Sequence, residues 1–150
     1  RQGICMTKVL VTCEHGGNRI PTAYAELFAG AAAVLATHRG YDLGAWHASR
    51  RDTGAFIGWF CLKYAGRSAD VEVGYRLLPE AWGRGFATEG AQALVDFGFD
   101  DLGLDRIIGV THRGNKASQR VLLKAGLKDA GWARYYNQRM RLFVAENPDR

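Results

Sequence analysis

The chain has 150 residues, of which 47% are hydrophobic and 23% charged, and its formal net charge is +5 at pH 7. This composition is typical of a globular domain and excludes fibrous and intrinsically disordered classes. The length predicts a single domain, 1–150. The longest weakly polar run, LFAGAAAVLA, is far shorter than the roughly 20 apolar residues of a membrane-spanning helix, so we expect no membrane partner.

The cysteines and the distribution of charge indicate the cellular compartment and the kind of partner. Cys5, Cys13 and Cys61 form no Cys-x-x-Cys pair, and an odd number cannot all pair within one chain. This usage fits a reducing compartment and predicts a cytoplasmic protein. The positive charge is spread along the chain without a Lys/Arg block or zinc-ligand spacing, so it predicts no nucleic-acid partner, while it suits a phosphorylated cofactor.

The first 45 residues predict a strand followed by a helix. Met6 has the position of a natural start, so RQGIC is interpreted as a remnant without a functional role. KVLVTCE favours a strand, and PTAYAELFAGAAAVLATH favours a helix with Pro21 near its beginning. We expect this unit, 1–45, to stand ahead of the main sheet, with its strand paired to the sheet edge.

A hairpin and a further strand are predicted from Trp46 onward. WHASRR and AFIGWFCLKY flank the turn residues DTG, a pattern typical of a β-hairpin. DVEVGYRL then alternates, as expected of a strand with one buried face. The alternation assigns Val71, Val73, Tyr75 and Leu77 to the core face, and Glu72, Gly74 and Arg76 to a face that looks into a cleft.

The remaining elements alternate between helix and strand. Apolar residues at helical spacing predict a helix over about 86–99, and DRIIGVTH predicts a short buried strand. NKASQRVLLKAG predicts a helix with Asn115 as its N-cap and Gly126 as its stop, and GWARYYNQRMRLFVA supplies two final strands. Together the elements predict an α/β (α+β) domain, a sheet covered by helices without internal repeats.

The stretch LPEAWGRGFATEG places three glycines and a proline around Trp82, where the helix over 86–99 begins. Glycine is costly there unless the backbone bends sharply or approaches a ligand. A helix N-terminus directs several N–H groups and its positive end at one point, which suits a phosphate. The alternative is a tight strand-to-helix connection that binds nothing, and the loop alone does not decide between them.

Two motifs in this part of the chain resemble one family. VEVGYRLLPEAWGRGFATEGA is similar to the acetyl-coenzyme A (acetyl-CoA) loop of GCN5-related N-acetyltransferases (GNAT), in particular their ribosomal-protein alanine acetyltransferase branch, and NKASQRVLLKAGLK to that family's Asn-x-x-Ser helix. The resemblance covers about 46–150. It implies a GNAT-like mixed, mostly antiparallel central sheet flanked by helices. It also implies transfer of an acetyl group from acetyl-CoA to an amine by direct attack, without Cys61 as a nucleophile.

The resemblance implies a set of residues that hold acetyl-CoA. Leu77 and Leu78 would offer main-chain bonds to the pantetheine arm, and Asn115 and Ser118 would contact the arm near its thioester end. The backbone of the glycine loop would hold the pyrophosphate, through Trp82, Gly83, Arg84, Gly85, Phe86, Ala87 and Thr88. Arg84 adds charge in this interpretation, and the alternative is a solvated surface arginine.

Acetyl transfer also needs one group that removes the amine proton and another that protonates the leaving thiol. Glu72 is the candidate base, because it lies on the strand before the loop and opposite the apolar stripe; the alternative is an ion-paired strand glutamate. The resemblance points to Ser118 as proton donor or thiol-orienting group, and the alternative is a helix-capping serine. Tyr135 and Tyr136 either reach the acceptor or alternate between the faces of a late strand.

The beginning of the chain resembles a different family. VLVTCEHGGNRIP and THRGYDLGA are similar to the N-terminal part of N-formylglutamate amidohydrolases, which are zinc-dependent hydrolases. The similarity covers about 6–45 and indicates a chimera, in which a foreign strand and helix replace elements that shape the acceptor side. Glu14 and His15 would be remains of a metal site, but a catalytic zinc needs three protein ligands, so we expect no metal.

The main hypothesis is an acetyl-CoA-dependent N-acetyltransferase that acts on a protein N-terminus or on a small amine such as an aminoglycoside. A poorly fitting N-terminal unit would favour a homodimer. Two alternatives stay open: a CoA-binding remnant without turnover, and a zinc-dependent hydrolase. Turnover with amines would identify the acetyltransferase, bound zinc the hydrolase, and CoA binding without turnover the remnant.

Overall fold

The computed structural model describes the backbone of two short N-terminal strands and the whole of 43–150. The described elements, in chain order, are β1 (Gln2–Cys5), β2 (Val9–Cys13), β3 (Gly44–Arg50), β4 (Phe56–Tyr64), β5 (Val71–Leu77), a 3₁₀ turn (Pro79–Ala81), α1 (Phe86–Asp100), β6 (Arg106–Thr111), α2 (Lys116–Lys124), β7 (Lys128–Tyr135) and β8 (Gln138–Glu146).

The eight described strands form one sheet in the order β1-β2-β3-β4-β5-β6-β8-β7. Neighbouring strands are antiparallel except for β5 and β6, which run parallel. A parallel pair needs a crossover connection, and α1 supplies it. The mixed, mostly antiparallel sheet with flanking helices that the sequence predicted is confirmed.

The apolar stripe of β5 packs into the core, as the alternation predicted. Val71, Val73 and Leu77 are buried, and Tyr75 packs against the same apolar cluster with its side chain partly buried. Glu72 lies on the opposite side of the pleat and is buried as well. The second face of β5 is therefore also covered near the beginning of the strand.

Both described helices cover the same face of the sheet. A Cβ atom on Gly98 of α1 would collide with Ile107 of β6, and one on Gly109, two residues further along β6, would collide with Leu122 of α2. Residues two apart in a strand share a face. One layer of helices thus packs on the face that holds the apolar core.

The helix boundaries agree with the sequence patterns. α1 ends one residue beyond its predicted end, and Asn115 caps α2 by accepting a hydrogen bond from the N–H of Ser118 at 3.1 Å. Gly126, the predicted stop, has a φ of 96° just after α2. Within the described part of the chain, neither the length nor the apolar character of any helix is sufficient for crossing a membrane.

The N-terminal residues contribute two strands at one edge of the sheet. β2 forms where KVLVTCE predicted a strand, and it pairs with β3 as expected. RQGIC, which was interpreted as a remnant without a role, supplies β1, which pairs with β2 over Gln2–Cys5. Backbone hydrogen bonding to an exposed strand edge needs little from side chains, so the composition gave no signal for it. The predicted helix near Pro21 lies outside the described residues.

The β7–β8 hairpin turns at Tyr136 and Asn137, whose φ angles are 53° and 59°. Left-handed residues at both positions are typical of a two-residue hairpin turn. Tyr136 is therefore a turn residue, and the expected face alternation with Tyr135 along a strand is wrong. The hydroxyl of Tyr135 donates to Asp70 Oδ2 at 2.8 Å, which ties the hairpin to the residue just before β5.

Gly90 of α1 is expected to tolerate no added methyl group. It is buried, and a Cβ there would overlap the ring of Phe60, which is itself fully buried. We expect Gly90→Ala to lower the free energy of unfolding by about 1–3 kcal/mol, although alanine has the better helix propensity. Denaturant unfolding followed by circular dichroism measures this change.

Gly114→Ala is the matched control for Gly90→Ala. A Cβ on Gly114 would meet no atom within 4 Å, so its free energy of unfolding should change by less than about 0.5 kcal/mol. Equal stability of the two variants would show that α1 can move away from Phe60 without cost.

Cys61 of β4 is expected to be chemically inert in the folded protein. It is fully buried, and burial raises the pKa of its thiol to about 12. At about pH 8, roughly one molecule in ten thousand would then carry the reactive thiolate, against about a quarter for an unperturbed thiol. We expect iodoacetamide to label Cys61 about a thousandfold more slowly in the folded than in the denatured protein, as followed by peptide mass spectrometry. Similar rates would mean that this side of β4 opens to solvent.

Candidate active site

The ladder between β5 and β6 is interrupted. The backbones of the two strands pair at one register position, Glu72 opposite Ile108. β5 keeps its pairing with β4 as far as Leu77, but within the described residues it has no further ladder partner on the β6 side. The two parallel strands therefore leave a gap towards their C-terminal ends. The strand from Glu72 to Leu77 runs roughly 16 Å along this gap.

Main-chain groups of β5 line the gap. Leu78 donates its N–H to the carbonyl of Ile57 in β4 at 2.8 Å. In an antiparallel ladder, successive residues turn their main-chain groups to alternate sides. Tyr75 and Leu77 consequently turn theirs towards the gap, and Leu78 does not. The Leu77 carbonyl accepts a hydrogen bond from the indole Nε1 of Trp82 at 3.0 Å.

The gap opens at the glycine loop and the N-terminus of α1. Gly83 and Gly85 have φ angles of 70° and 80°, which residues with a side chain rarely adopt. A Cβ on either glycine would meet no atom within 4 Å, so open space lies over both. Gly85 is the N-cap residue, and no side chain of the described residues caps α1. The first N–H groups of α1 therefore lack an intrahelical partner.

The N-terminus of α2 is built differently. Its cap is the side chain of Asn115, and Gln119 Nε2 donates to the carbonyls of His112 and Arg113 at 3.3 and 3.2 Å. The cap satisfies one N–H of the first turn of α2, and the Gln119 amide ties the helix to the loop before it. An anion is therefore accommodated better at α1 than at α2.

Side chains next to the glycine loop add positive charge. Trp82 is 66% exposed although its indole is bonded, and Arg84 is exposed beside it. The buried ring of Phe86 lies 5.8 Å from the guanidinium of Arg50, which pairs with Asp52. A pocket beside the loop is lined by both arginines. Asp52 already pairs with Arg50, and Glu80 also lines the pocket; Arg84 is therefore the cation available next to the open space over the glycines.

Glu72 lies at the closed end of the gap in a small polar cluster. Its Oε2 atom pairs with Nζ of Lys63 at 3.0 Å and accepts a hydrogen bond from the hydroxyl of Tyr136. Lys63 Nζ also donates to that hydroxyl and lies 4.7 Å from the ring centroid of Tyr136. Glu72 is 8% exposed. A nearly buried carboxylate thus has two partners, and both use the same oxygen.

The cluster keeps Lys63 charged. Burial alone would lower the pKa of Lys63, but the Glu72 carboxylate and the Tyr136 hydroxyl outweigh it and raise that pKa above its ordinary value. Burial, followed by the bond to Glu72, raises the pKa of Tyr136. At neutral pH Lys63 is therefore a cation and Tyr136 a neutral phenol.

Ser118 lies on the other side of β5. Its Oγ atom accepts a hydrogen bond from the hydroxyl of Tyr75 at 3.1 Å. Tyr75 is three residues from Glu72, so the two side chains point to opposite faces of the strand. The two candidate catalytic residues, Glu72 and Ser118, consequently approach β5 from opposite faces.

A buried hydroxyl at the end of β6 is unpaired. Thr111 is 5% exposed, and its Oγ1 atom has no hydrogen-bond partner among the described residues. Buried hydroxyls normally have a partner. Thr111 is the last residue of β6 and lies on the face that the helices cover, as Ile107 and Gly109 do.

The predicted site residues fall at the two ends of the gap, and two partners were not predicted. The loop residues lie at the open end and Glu72 at the closed end, while Lys63 and the hydroxyl of Tyr75 are additions. The pairing of β4 with β5 sets Lys63 opposite Glu72; the sequence predicted both strands but not their register. The bond from Tyr75 to Ser118 joins residues 43 positions apart and has no local signal. Glu14 and His15 lie outside the described residues.

Solved structures share this fold. An acetyltransferase from Agrobacterium tumefaciens str. C58 gives a TM-score of 0.75 at 18% identity, covering 97% of this chain and 95% of that one. The ribosomal-protein-S5-alanine acetyltransferase from Vibrio fischeri gives 0.69 at 17%, covering 99% and 98%. The aminoglycoside acetyltransferase AAC(6')-Ib, in complex with coenzyme A and kanamycin, gives 0.63 at 21%, covering 76% and 70%. At these identities the likeness establishes the fold alone.

A curated relative has higher sequence identity. The uncharacterized N-acetyltransferase YoaA from Bacillus subtilis (strain 168) is 41% identical over 92 residues, which cover 61% of this chain and 52% of that protein. The chain therefore matches about half the length of this relative.

The family model described as an acetyltransferase (GNAT) domain matches residues 12–128. This span covers most of the chain and includes the glycine loop, the Asn-x-x-Ser helix and the strand between them. It begins inside the segment for which an amidohydrolase origin was predicted, and that origin stays a prediction. The match, together with the interrupted parallel ladder and the uncapped helix at its open end, places the chain in the GNAT acetyltransferase family.

Proposed function

We propose that this chain is an acetyl-CoA-dependent N-acetyltransferase, which moves an acetyl group to a primary amine by direct attack. The observation that carries the proposal is the interrupted β5–β6 ladder, with a carboxylate at its closed end and an uncapped helix N-terminus at its open end. A thioester at the end of an amide-containing, phosphorylated arm fits both ends. When bound, acetyl-CoA would supply the activated acetyl group.

We assign the pyrophosphate to the glycine loop and the beginning of α1. Open space over Gly83 and Gly85, unpaired N–H groups and the exposed Arg84 favour an anion there. The residues proposed to hold it are Trp82, Gly83, Arg84, Gly85, Phe86, Ala87 and Thr88. No metal is needed for this binding, because the loop and the helix end supply the positive potential.

The pantetheine arm is assigned to the gap. Main-chain groups of Tyr75 and Leu77 turn towards the gap, while the N–H of Leu78 is bonded to the carbonyl of Ile57. Of Leu77 and Leu78, which the resemblance implied as partners of the arm, Leu77 is therefore the better placed. Asn115 uses its Oδ1 atom as a cap, which leaves its Nδ2 group to donate to a carbonyl of the arm.

Glu72 is proposed as the general base. Its Oε2 atom is held by Lys63 and Tyr136, so Oε1 is the oxygen that would accept a proton from the amine through a water molecule. The two partners fix the carboxylate on the face of β5 opposite the helices. The acceptor amine would therefore arrive from that face.

The acceptor is proposed to be a protein N-terminus or a small amine. The Vibrio fischeri structure is that of a ribosomal-protein-S5-alanine acetyltransferase, and the AAC(6')-Ib structure contains kanamycin; both names describe amine acceptors of those proteins. Tyr136 is 43% exposed beside Glu72, so it is available to contact either class. The cytoplasmic location and the homodimer stay predictions.

Gly85→Val should weaken acetyl-CoA binding at least about tenfold, as measured by isothermal titration calorimetry. The substitution forces a β-branched residue to a φ of 80° and fills the open space assigned to phosphate. Gly126→Val is the matched control, since Gly126 has a φ of 96° and equally open surroundings beyond α2. Unchanged affinity in Gly85→Val, or equal losses of affinity in both variants, would show that the pyrophosphate does not bind at this loop.

Glu72→Gln should lower turnover by about a hundredfold while acetyl-CoA affinity stays unchanged, because it removes the base and leaves the loop intact. Thiol release with a panel of amines measures the turnover. Lys63→Met is the control, because it breaks the same ion pair but keeps the carboxylate. If both variants lose turnover equally, the ion pair acts structurally and Glu72 is not the base. Acetyl-CoA binding by the unmodified protein without turnover on any amine would indicate a non-catalytic remnant.

A further inference from the structure

The hydroxyl of Tyr75 forms a polar contact, although Tyr75 belongs to the apolar stripe of β5. Its ring packs on Phe60, with centroids 5.8 Å apart, and this contact needs no hydroxyl. The hydroxyl instead reaches from β5 to α2, where it donates to Ser118 Oγ at 3.1 Å. It thereby joins β5, which borders the gap, to α2, which packs on β6.

Because Ser118 accepts the hydrogen bond from Tyr75, its own hydroxyl proton is free to be donated. A serine hydroxyl has one donor and two acceptor positions, and the Tyr75 hydroxyl occupies an acceptor position. The N–H of Ser118 is fixed separately, by Asn115 Oδ1 at 3.1 Å. The backbone of Ser118 and one lone pair of its Oγ atom are therefore both held, which restricts the direction in which its O–H points.

The position of this pair complements that of Glu72. Tyr75 lies on the helix face of β5, and Glu72 lies on the opposite face, three residues or roughly 10 Å nearer the closed end of the gap. A thioester in the gap would have the carboxylate on one side and the two hydroxyls on the other. The amine would lose its proton on the first side, and the leaving sulfur would gain one on the second.

We propose that Tyr75 is a positioning residue that acts through Ser118, as the second hydroxyl of a relay that protonates the leaving thiolate. This inference rests on the proposed function. As the new C–N bond forms, the amine proton passes to Glu72 through water. When the C–S bond breaks, sulfur keeps the electron pair and takes the proton of Ser118 Oγ, and Oγ takes the proton of Tyr75. Solvent then returns one proton to the tyrosinate, and Glu72 gives one back to solvent.

The environment of Tyr75 suits this role. Burial raises the pKa of its hydroxyl above the ordinary value, although the bond to Ser118 partly opposes that rise. The phenol is therefore protonated throughout the neutral range, and a tyrosinate formed there would regain its proton quickly. A relay partner must hold a proton before each turnover and recover it afterwards; because the raised pKa also makes the phenol a weaker acid than the thiol, the tyrosinate is a short-lived species that solvent reprotonates.

The test measures the thiol of bound CoA, so that it depends on neither an acceptor nor turnover. The absorbance of the CoA thiolate is followed as the pH is raised, and the absorbance of the complex with desulpho-CoA is subtracted. The titration is done with the unmodified protein and with three variants: Tyr75→Phe, Ser118→Ala and Tyr135→Phe. A donor aimed at sulfur stabilises the thiolate, so we expect Tyr75→Phe to shift the thiol titration to higher pH, in the direction of Ser118→Ala. Tyr135→Phe, which loses a phenol bond to Asp70 instead, should leave the thiol titration unchanged.

Single-turnover acetyl transfer is the second measurement. Tyr75→Phe should slow it about tenfold at unchanged CoA affinity, and adding Tyr75→Phe to Ser118→Ala should cost almost nothing more, because the two hydroxyls act as one unit. An unchanged thiol titration in Tyr75→Phe, or additive losses in the double variant, would overturn the relay alone. Absence of CoA binding by the unmodified protein would overturn the proposed function, and the relay with it.

Discussion

The structure depends on a requirement of the main chain, which is that N–H and C=O groups within a sheet need hydrogen-bond partners. β5 meets this requirement fully on the β4 side but stops meeting it on the β6 side after Glu72. An extended ligand that carries amides can complete the ladder by behaving as a short strand. The parallel arrangement then places the end of that ligand at the N-terminus of the crossover helix, so one interruption sets both the path of the arm and the location of its charged end.

In the proposed mechanism, the pleat of β5 separates the two proton transfers. Side chains at odd spacing point to opposite faces, which sets Glu72 with Lys63 and Tyr136 on one face and Tyr75 with Ser118 on the other. In the proposed mechanism, the proton acceptor and the proton donor are thereby kept apart, with the thioester between them. Had both lain on one face, they would have been free to exchange a proton directly.

Sequence patterns predicted those parts of the site that depend on local rules. Alternation placed Glu72 opposite the apolar stripe, and the glycines marked the N-terminus of α1, because pleat and helix geometry act over a few residues. The turn at Tyr136 was missed, since left-handed residues other than glycine are uncommon and Tyr-Asn carries a weak turn signal. β1 was missed because edge pairing uses backbone groups that every sequence has. The Tyr75–Ser118 bond depends on how two elements pack, which no single segment contains.

The ties between the last hairpin and β5 affect the order in which the molecule can mature. Tyr136 meets Glu72 across 64 positions, and Tyr135 meets Asp70 across 65. During synthesis, the glycine loop and α1 emerge well before these tyrosines, and contacts so distant in sequence form late because the intervening chain must close a long loop. A nascent chain therefore contains the glycine loop and α1 first, and the Glu72 carboxylate stands without Tyr136 until the final strands are in place.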